Sequence, residues 1–340
     1  MNVTEHQRPG VYSVYDASSA VSGRRGGGWA GVAAVCPAGT AGEVYPLSSA
    51  EEARAAFGAG AELAVLAELL LKNGAGRVYA VPVAEEEGYA GAFAALEKVE
   101  QLAVVVCDSD TLAVQQALRD SVKAAAGARR ERLAVVCGGG DEGVEALTAR
   151  AAELNCERVV LAAPGGVRAA AAVAGAITGE ADPAVPLGGA ELKGLAGLDR
   201  DWSDGEVDAL VLGGVTPLEQ SGGVVAVTRG ITTRTKTGSA ADATWRELTT
   251  IRVVDDVIPD LRNALGTRFR RAKNTEQGRG AIRSQVIVEL ERKKSGEIIT
   301  DYGSVEVSAL EDNPTVCLVE FDFTVAHGLS QIWLSAHITV

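Results

Sequence analysis

The sequence predicts α/β plus α+β architecture: a parallel, helix-covered sheet unit followed by a mixed helix/antiparallel-sheet domain, with extended N- and C-terminal arms. Three observations lead to this fold class. Short apolar runs alternate with helical stretches between residues 102 and 177, one long helical stripe precedes β-like segments after residue 240, and residues near both ends have the pattern of extended strands.

The α/β unit is predicted from apolar runs that are too short to be buried helices. The runs Leu102–Cys107, Leu133–Cys137 and Arg158–Ala163 are separated by helical stretches, and strands apolar on both faces are typical of a parallel sheet. The other elements predicted here are strands at Trp29–Cys36 and Arg77–Val83 and helices at Ser49–Phe57, Ala61–Lys72, Thr111–Ala126, Asp141–Asn155 and Val167–Ile177. A Pro- and Gly-rich stretch from Pro183 to Leu198 then indicates a boundary.

The sequence after residue 200 predicts helices and then mostly strands. A short helix or a turn is predicted at Glu206–Leu212. Ala240–Leu265 carries apolar residues at helical spacing, with Pro259 expected to kink or divide the helix. Strands are predicted at Gly222–Thr232, Gln285–Arg292, Gly296–Thr300, Ser304–Ser308, Thr315–Val325 and Ile332–Val340.

The two ends of the sequence predict extended arms. In the last segment, apolar residues alternate with other residues up to Val340, and the first segment follows Pro9-Gly10. The residues that define the arms are Val11, Tyr12, Val14 and Tyr15 at one end and Ile332, Trp333, Leu334, Ile338 and Val340 at the other. Such a segment either completes the chain's own sheet as an edge strand or is donated to a neighbouring subunit.

The charge of the chain limits its partners. A formal net charge of −13 argues against general binding of nucleic acid, which requires a cationic face. One basic patch stands out, formed by Arg268, Arg270, Arg271 and Lys273. It is either a solvated face or an anchor for an acidic neighbour, and the acidity of the rest of the chain favours the second interpretation.

Membrane insertion and secretion are not expected. No apolar run approaches the ~20 residues that a membrane-spanning helix needs. Met1–Gly10 lacks the apolar segment of a secretory signal. The five cysteines contain no C-x-x-C pair, a usage typical of buried free thiols in a reducing compartment. We therefore expect synthesis in a cytoplasm.

One motif suggests an alternative function. Gly138–Gly143 reads G-x-G-x-x-G after a strand and before a helix, the context of a Rossmann-like nucleotide-binding enzyme. Asp141 and Glu142, however, place carboxylates where the pyrophosphate would lie, and acidic residues stabilise a helix start without any ligand. The expected acid about 20 residues further on is also missing.

Other catalytic or metal sites are weakly indicated. Asp108 and Asp110 follow a strand at the same predicted sheet edge as Asp141, so the three could hold a divalent cation. The competing interpretation is that Ser109 or Asp110 caps the helix beginning at Thr111. The sequence contains no G-x-S-x-G or P-loop lysine motif, and its three histidines lack metal-site spacing. No enzymatic activity and no cofactor are expected.

The order of several segments resembles that of tail-sheath proteins from contractile phage tails and related injection machines. The segments are Arg8-Pro9-Gly10-Val11-Tyr12, Gly31–Pro37, Pro46-Leu47-Ser48-Ser49-Ala50-Glu51-Glu52, Phe57-Gly58, Leu70–Gly74 and Arg77–Val81, then Ala170–Ile177, Asp182-Pro183-Ala184, Ile231–Arg234 and the helix Trp245–Leu265. The resemblance covers nearly the whole chain. The chain departs from the larger sheaths in being compact and in having an acidic, Ala-rich inserted α/β unit.

The resemblance implies four regions. They are an N-terminal arm (1–25), an outer α/β domain (26–196), an inner sheath core domain (197–328) and a C-terminal strand arm (329–340). It further implies polymerisation into hexameric rings stacked as a helical tube around a tail tube, with baseplate and tail terminator proteins as further partners. The tube would contract without nucleotide. Gly23, Gly26 and Gly328 are the candidate hinges. A non-contractile structural or adhesive tail component is a third possibility.

Overall fold

The computed structural model describes residues 28–328. These residues form two compact units, which we describe separately. The sheet unit comprises residues 28–181 and Val185–Thr249, and the C-terminal unit comprises Asp182–Ala184 and Thr250–Ala326.

The sheet unit is built on one nine-stranded sheet. In chain order its strands are β1 Trp29–Val35, β2 Tyr45–Leu47, β3 Arg77–Val83, β4 Leu102–Cys107, β5 Leu133–Cys137, β6 Val159–Ala163, β7 Glu191–Leu192, β8 Thr216–Ser221 and β9 Val224–Val227. The spatial order is β2-β3-β1-β4-β5-β6-β8-β9-β7. The strands from β3 to β8 in this order run parallel. The predicted parallel sheet is thus confirmed for this unit.

Both edges of this sheet are very short. The edge strands β2 and β7 have three and two residues and pair antiparallel with β3 and β9. Short edge strands offer few unpaired backbone groups to another chain. The sheet unit is therefore poorly suited to strand addition.

Helices cover the sheet, and its central strands are therefore buried on both faces. They are α1 Ala50–Phe57, α2 Glu62–Lys72, α3 Tyr89–Glu97, α4 Leu112–Gly127, α5 Val144–Leu154, α6 Gly166–Gly179 and α7 Asp204–Leu212. A small hairpin, β10 Lys236–Thr237 and β11 Ala240–Ala241, follows β9 in the sequence.

The Ala-rich helix α6 shows why small side chains are needed in this unit, since they allow α6 to pack closely against its neighbours. All residues from Ala169 to Ala174 are buried. A Cβ on Gly175 would lie 2.7 Å from the carbonyl oxygen of Leu70 in α2, so only glycine allows this approach. Close packing of small residues here replaces the bulky aromatic core that the sequence lacks.

Several elements of the sheet unit differ from the prediction. The helix α3 and the strands β2, β7, β8, β10 and β11 are additional. The predicted strand Gly222–Thr232 is shortened to β9, because Gly222 and Gly223 form the two-residue turn of the β8–β9 hairpin, with φ of 59° and 83°. The strands β8 and β9 belong to the same sheet, and this compact unit extends to Thr249.

The C-terminal unit contains two long helices and two small sheets. Its elements are α8 Leu248–Phe269, which begins in the sheet unit, α9 Glu276–Ser295, β12 Ile299–Tyr302, β13 Glu306–Leu310, β14 Asn313–Glu320 and β15 Phe323–Val325. Among the described residues, β12 pairs only with β15 and β13 only with β14, both antiparallel.

The predicted strand Gln285–Arg292 is wrong, because this segment lies inside helix α9. Its buried residues Val286, Glu289, Leu290 and Lys293 follow helical spacing. Thr275 caps the helix by accepting the Gly278 amide at 3.1 Å, and basic residues occupy its last turn. These signals outweigh the β-branched run at residues 286–288.

Two further boundaries in this unit need correction. Helix α8 begins after Trp245 and continues through Pro259, so the proline does not divide it. The predicted strand Thr315–Val325 is broken between Glu320 and Phe323, which pair in different sheets. At the break, the Gly303 amide donates to the Asp322 carbonyl at 3.0 Å, and a Cβ on Gly303 would overlap the Asp322 carboxylate.

Candidate assembly surfaces

The Gly138–Gly143 turn follows β5 and precedes α5, as a nucleotide-binding turn would. Gly138 is required by packing, because a Cβ there would clash with Leu147 of α5. Glu142 accepts a hydrogen bond from the Gly139 amide at 3.2 Å. A carboxylate of the chain itself therefore occupies a backbone donor that a phosphate would need.

The charge of Glu142 is fixed in this turn by a strong ion pair. Arg150 donates from both Nε, at 2.9 Å, and Nη2 to the Glu142 carboxylate, and these bonds hold the pKa of Glu142 below its usual range. Arg200 donates to the Glu142 carbonyl at 3.0 Å. The cleft beside the turn, about 240 Å³, is lined by Asp141 and Asp199 as well. This lining disfavours a pyrophosphate, so the enzyme alternative is not favoured.

The aspartates after β4 have structural partners. Asp108 accepts hydrogen bonds from the Val35 amide at 2.9 Å and from the Tyr89 hydroxyl. The Asp110 carbonyl accepts from Arg150 at 2.7 Å. Within residues 28–328, no group of three or more His, Cys, Asp or Glu residues has the arrangement of a metal site. The suggested cation site at Asp108, Asp110 and Asp141 therefore gains no support from the geometry.

The predicted helix cap at Ser109 or Asp110 is also wrong. Helix α4 begins at Leu112, and Thr111 occupies the cap position without a side-chain hydrogen bond. Ser109 instead accepts the Thr111 amide at 3.2 Å, which forms a turn before the helix.

Asp108 provides a pH-dependent test of this sheet edge. Burial raises the pKa of its carboxyl, so the folded state binds the proton more tightly than the unfolded chain does. Its contribution to stability is therefore greatest at low pH and is lost as the pH rises through the folded-state pKa. In urea unfolding experiments, we expect the stability of Asp108→Asn relative to the parent to increase as the pH rises from the acidic range to neutrality.

The matched variant Asp108→Ala separates charge from hydrogen bonding. It leaves the Val35 amide and the Tyr89 hydroxyl without this acceptor and should cost about 1–3 kcal/mol of unfolding free energy. A stability difference between Asp108→Asn and the parent that does not change with pH would contradict the shifted pKa.

The buried cysteines have no nucleophilic character at neutral pH. Burial raises the pKa of Cys107 and Cys137 to about 12 and that of Cys156 to about 11. These thiols stay protonated, and protonated thiols are poor nucleophiles.

The two small sheets of the C-terminal unit have open strand edges in the described part of the chain. Because each has only two strands there, their outer edges lack a strand partner within residues 28–328. Phe321 and Phe323, which stack with ring centroids 6.3 Å apart, are only half-buried. An edge with unpaired backbone groups and adjacent apolar side chains can accept an added strand.

The predicted basic patch lies at the end of α8 and in the connection to α9. We call Arg268, Arg270, Arg271 and Lys273 the basic loop. All four are exposed. Arg268 donates to the Gln285 side chain, and within residues 28–328 Arg270, Arg271 and Lys273 have no ion-pair partner. The loop thus presents cations whose charge the described part of the chain does not neutralise.

The remaining predicted site residues are mostly outside the described range. Both arms, with all nine of their predicted residues, and the hinge candidates Gly23 and Gly26 fall in residues 1–27 or 329–340. Gly328 lies at the limit of the description, where a Cβ would approach Pro186 to 2.7 Å. Their roles stay predictions.

None of the helices in residues 28–328 combines the length and apolar character of a membrane span.

The fold is similar to that of solved sheath proteins. A chain of the anti-feeding prophage baseplate gives a TM-score of 0.75 at 15% identity, covering 99% of this chain and 100% of that chain. The contracted helical sheath of the anti-feeding prophage gives 0.72 at 14% identity, with 98% and 99% coverage. The sheath tail protein of Desulfitobacterium hafniense gives 0.68 at 13% identity, with 93% and 100% coverage. At these identities the likeness establishes the fold alone.

Sequence comparison identifies the family. Residues 83–233 match the phage tail sheath protein central domain, and residues 240–339 match the phage tail sheath C-terminal domain. Since these matches together span more than half of the chain, the chain belongs to the phage tail sheath family.

One curated relative is much longer than this chain. The tail sheath protein of Bacillus phage SP01 is 28% identical over 227 residues, which are 62% of this chain and 38% of the relative. The chain therefore aligns with well under half of this relative's length.

Proposed function

We propose that this chain is a structural, non-enzymatic subunit that polymerises into a helical contractile sheath around a tail tube. The observation that carries the proposal is the pair of two-stranded sheets in the C-terminal unit, whose outer edges have no strand partner within residues 28–328. Both sheets lie within the segment that matches the sheath C-terminal domain. A subunit that must bind many identical copies needs exposed backbone donors and acceptors, and these sheets supply them.

Strand donation links the subunits in this proposal. The segment Ile332–Val340 alternates with the period of a strand and would add to the edge of β12–β15 or β13–β14 in a neighbouring copy. The N-terminal arm, with Val11, Tyr12, Val14 and Tyr15, would pair in the same way. Because donor and acceptor are different surfaces, each contact is head-to-tail, and such contacts repeat into helical tubes when they do not close as rings.

Contraction would be a change between two lattices of the same subunits. Donated strands keep the copies connected while rigid units re-pack, and Gly23, Gly26 and Gly328 would absorb the change in chain direction. The energy would come from a kinetically trapped extended lattice, so no nucleotide is consumed. The partners would be the tail tube, baseplate and terminator proteins. Assembly would occur in the host cytoplasm, with the product in a virion tail or a released tail-like particle.

Negative-stain microscopy of the purified chain tests the proposal. We expect tubes or stacked rings at concentrations of the order of micromolar, because many weak repeated contacts act together along a lattice. Heating such tubes in the absence of nucleotide should shorten and widen them. A chain that stays monomeric at every concentration, or that forms only disordered aggregates, would contradict the proposed function.

A further inference from the structure

The basic loop contrasts in charge with the rest of the chain, and the assignment of its partner to a neighbouring subunit rests on the proposed polymerisation. From residue 262 to residue 283 the chain carries seven basic residues and one acidic residue, although its overall net charge is −13. A cationic surface of this density in an acidic chain indicates an acidic partner.

The basic loop is held in position by hydrogen bonds to β14. Asn274 donates to the carbonyl oxygens of Pro314 at 2.8 Å and Val316 at 3.2 Å. Arg279 in turn donates to the Asn274 side chain at 3.1 Å. The loop therefore loses little conformational freedom when it binds, and that lowers the entropic cost of docking.

The sheet unit carries an acidic surface whose residues, like those of the basic loop, are exposed. We call Asp110, Asp141, Asp199, Asp201 and Asp204 the acidic edge. Asp110 and Asp141 follow the parallel strands β4 and β5, whose carboxyl ends meet at one edge of the sheet. Asp141 and Asp199 line the same cleft. All five residues are exposed.

The nearby cations form no ion pairs with the acidic edge. Arg150 is engaged by Glu142, and Arg200 donates to the Glu142 carbonyl and lies 5.1 Å from the Trp202 ring centroid. None of the five acidic-edge carboxylates has an ion-pair partner within residues 28–328. The chain thus exposes two surfaces of opposite charge, one on each compact unit.

We propose that the basic loop of one copy docks against the acidic edge of the next copy. The two surfaces are different, so the contact is head-to-tail and can repeat without closing. It is independent of strand donation, since no charged residue of either surface lies in the arms. Docking of opposite charges should also weaken with salt, because the Debye length falls to about 8 Å at physiological ionic strength and about 3 Å at 1 M.

Reciprocal charge reversal tests the contact. The loop variant is Arg270→Glu/Arg271→Glu/Lys273→Glu, and the edge variant is Asp141→Lys/Asp199→Lys/Asp201→Lys. Each alone should raise the concentration needed for pelletable assembly by about tenfold or more, because like charges then face each other. An equimolar mixture of the two variants should assemble within about threefold of the parent, because every alternating contact again joins opposite charges.

A matched control carries the same charge change elsewhere. Lys98→Glu/Lys123→Glu/Lys236→Glu alters exposed lysines outside both surfaces and should assemble like the parent. Circular dichroism of each variant checks that it is folded.

The outcomes separate this inference from the proposed function. A loop variant that assembles like the parent would overturn the inference and leave polymerisation intact. Loss of assembly that the mixture does not restore would also overturn it, since the charge reversals would then act in some way other than through pairing of the two surfaces. A parent that never assembles would overturn both.

Discussion

Deleting Ser330–Val340 should leave a folded chain that no longer forms tubes. Within residues 28–328 the buried hydrophobic residues extend from Ala30 to Val305, and we expect this core to fold without the deleted segment. The deletion removes the strand proposed to pair with a neighbouring copy, including Ile332, Leu334 and Ile338. The far-ultraviolet circular dichroism spectrum and melting temperature should change little.

The effect on assembly should be large. Burying one Ile, Leu or Val side chain contributes about 1.5–3 kcal/mol, and each 1.4 kcal/mol is about tenfold in affinity. Loss of three such residues and of their strand hydrogen bonds should raise the assembly concentration at least about a hundredfold, as measured by sedimentation.

A conservative variant isolates the strand pattern. Ser335→Thr/Thr339→Ser keeps the alternation and the polar face, so tubes should still form. Tubes of normal appearance from the truncated chain would show that Ser330–Val340 is not the connecting strand. Loss of folding in the truncated chain would show instead that the segment belongs to the chain's own core.

Lys293→Ala should be among the most destabilising single substitutions in the C-terminal unit. Lys293 on α9 is 5% exposed and donates to Asp256 Oδ2, to the Asp256 carbonyl at 3.1 Å and to Asp260 Oδ2 at 2.7 Å. All three ammonium protons thereby have acceptors. Asp256 is itself 3% exposed, so the substitution takes an ammonium partner away from a buried carboxylate.

The expected loss is about 3–5 kcal/mol of unfolding free energy in urea. The neighbouring Lys294, which pairs with Asp301 at the surface, provides the matched control, and Lys294→Ala should change stability little. The double variant Lys293→Met/Asp256→Leu should recover much of the loss, because a buried ion pair can be replaced by apolar groups of similar volume. Equal stability of Lys293→Ala and Lys294→Ala would show that the pair is not buried in solution.

The sequence was sufficient to predict the central parallel strands, because a strand that is buried on both faces is a short continuous run of apolar residues. Leu102–Cys107 and Leu133–Cys137 were predicted with their observed limits, and β6 differs by one residue. It was insufficient where periodicity and local composition disagree. In α9, Val286-Ile287-Val288 favours a strand, whereas the cap at Thr275 and the buried spacing through Lys293 decide for a helix.

The candidate surfaces were only partly predictable. The basic loop is contiguous in sequence, so its four residues could be found directly. The acidic edge joins Asp110, Asp141 and Asp199, which are brought together by strand order and by the loop that precedes α7. Likewise, the open edges of β12–β15 and β13–β14 could not be seen, because the sequence suggested one uninterrupted strand through Phe321.

The short edge strands of the sheet unit have a consequence for sliding. In a dense array of identical copies, long exposed edges would pair with one another through continuous backbone hydrogen bonds, as strands do in amyloid. With three residues in β2 and two in β7, the sheet unit offers few backbone donors and acceptors for such pairing. In the proposed lattice, neighbouring sheet units could therefore change position without their edges pairing, and lasting contacts between copies would be made by other segments of the chain.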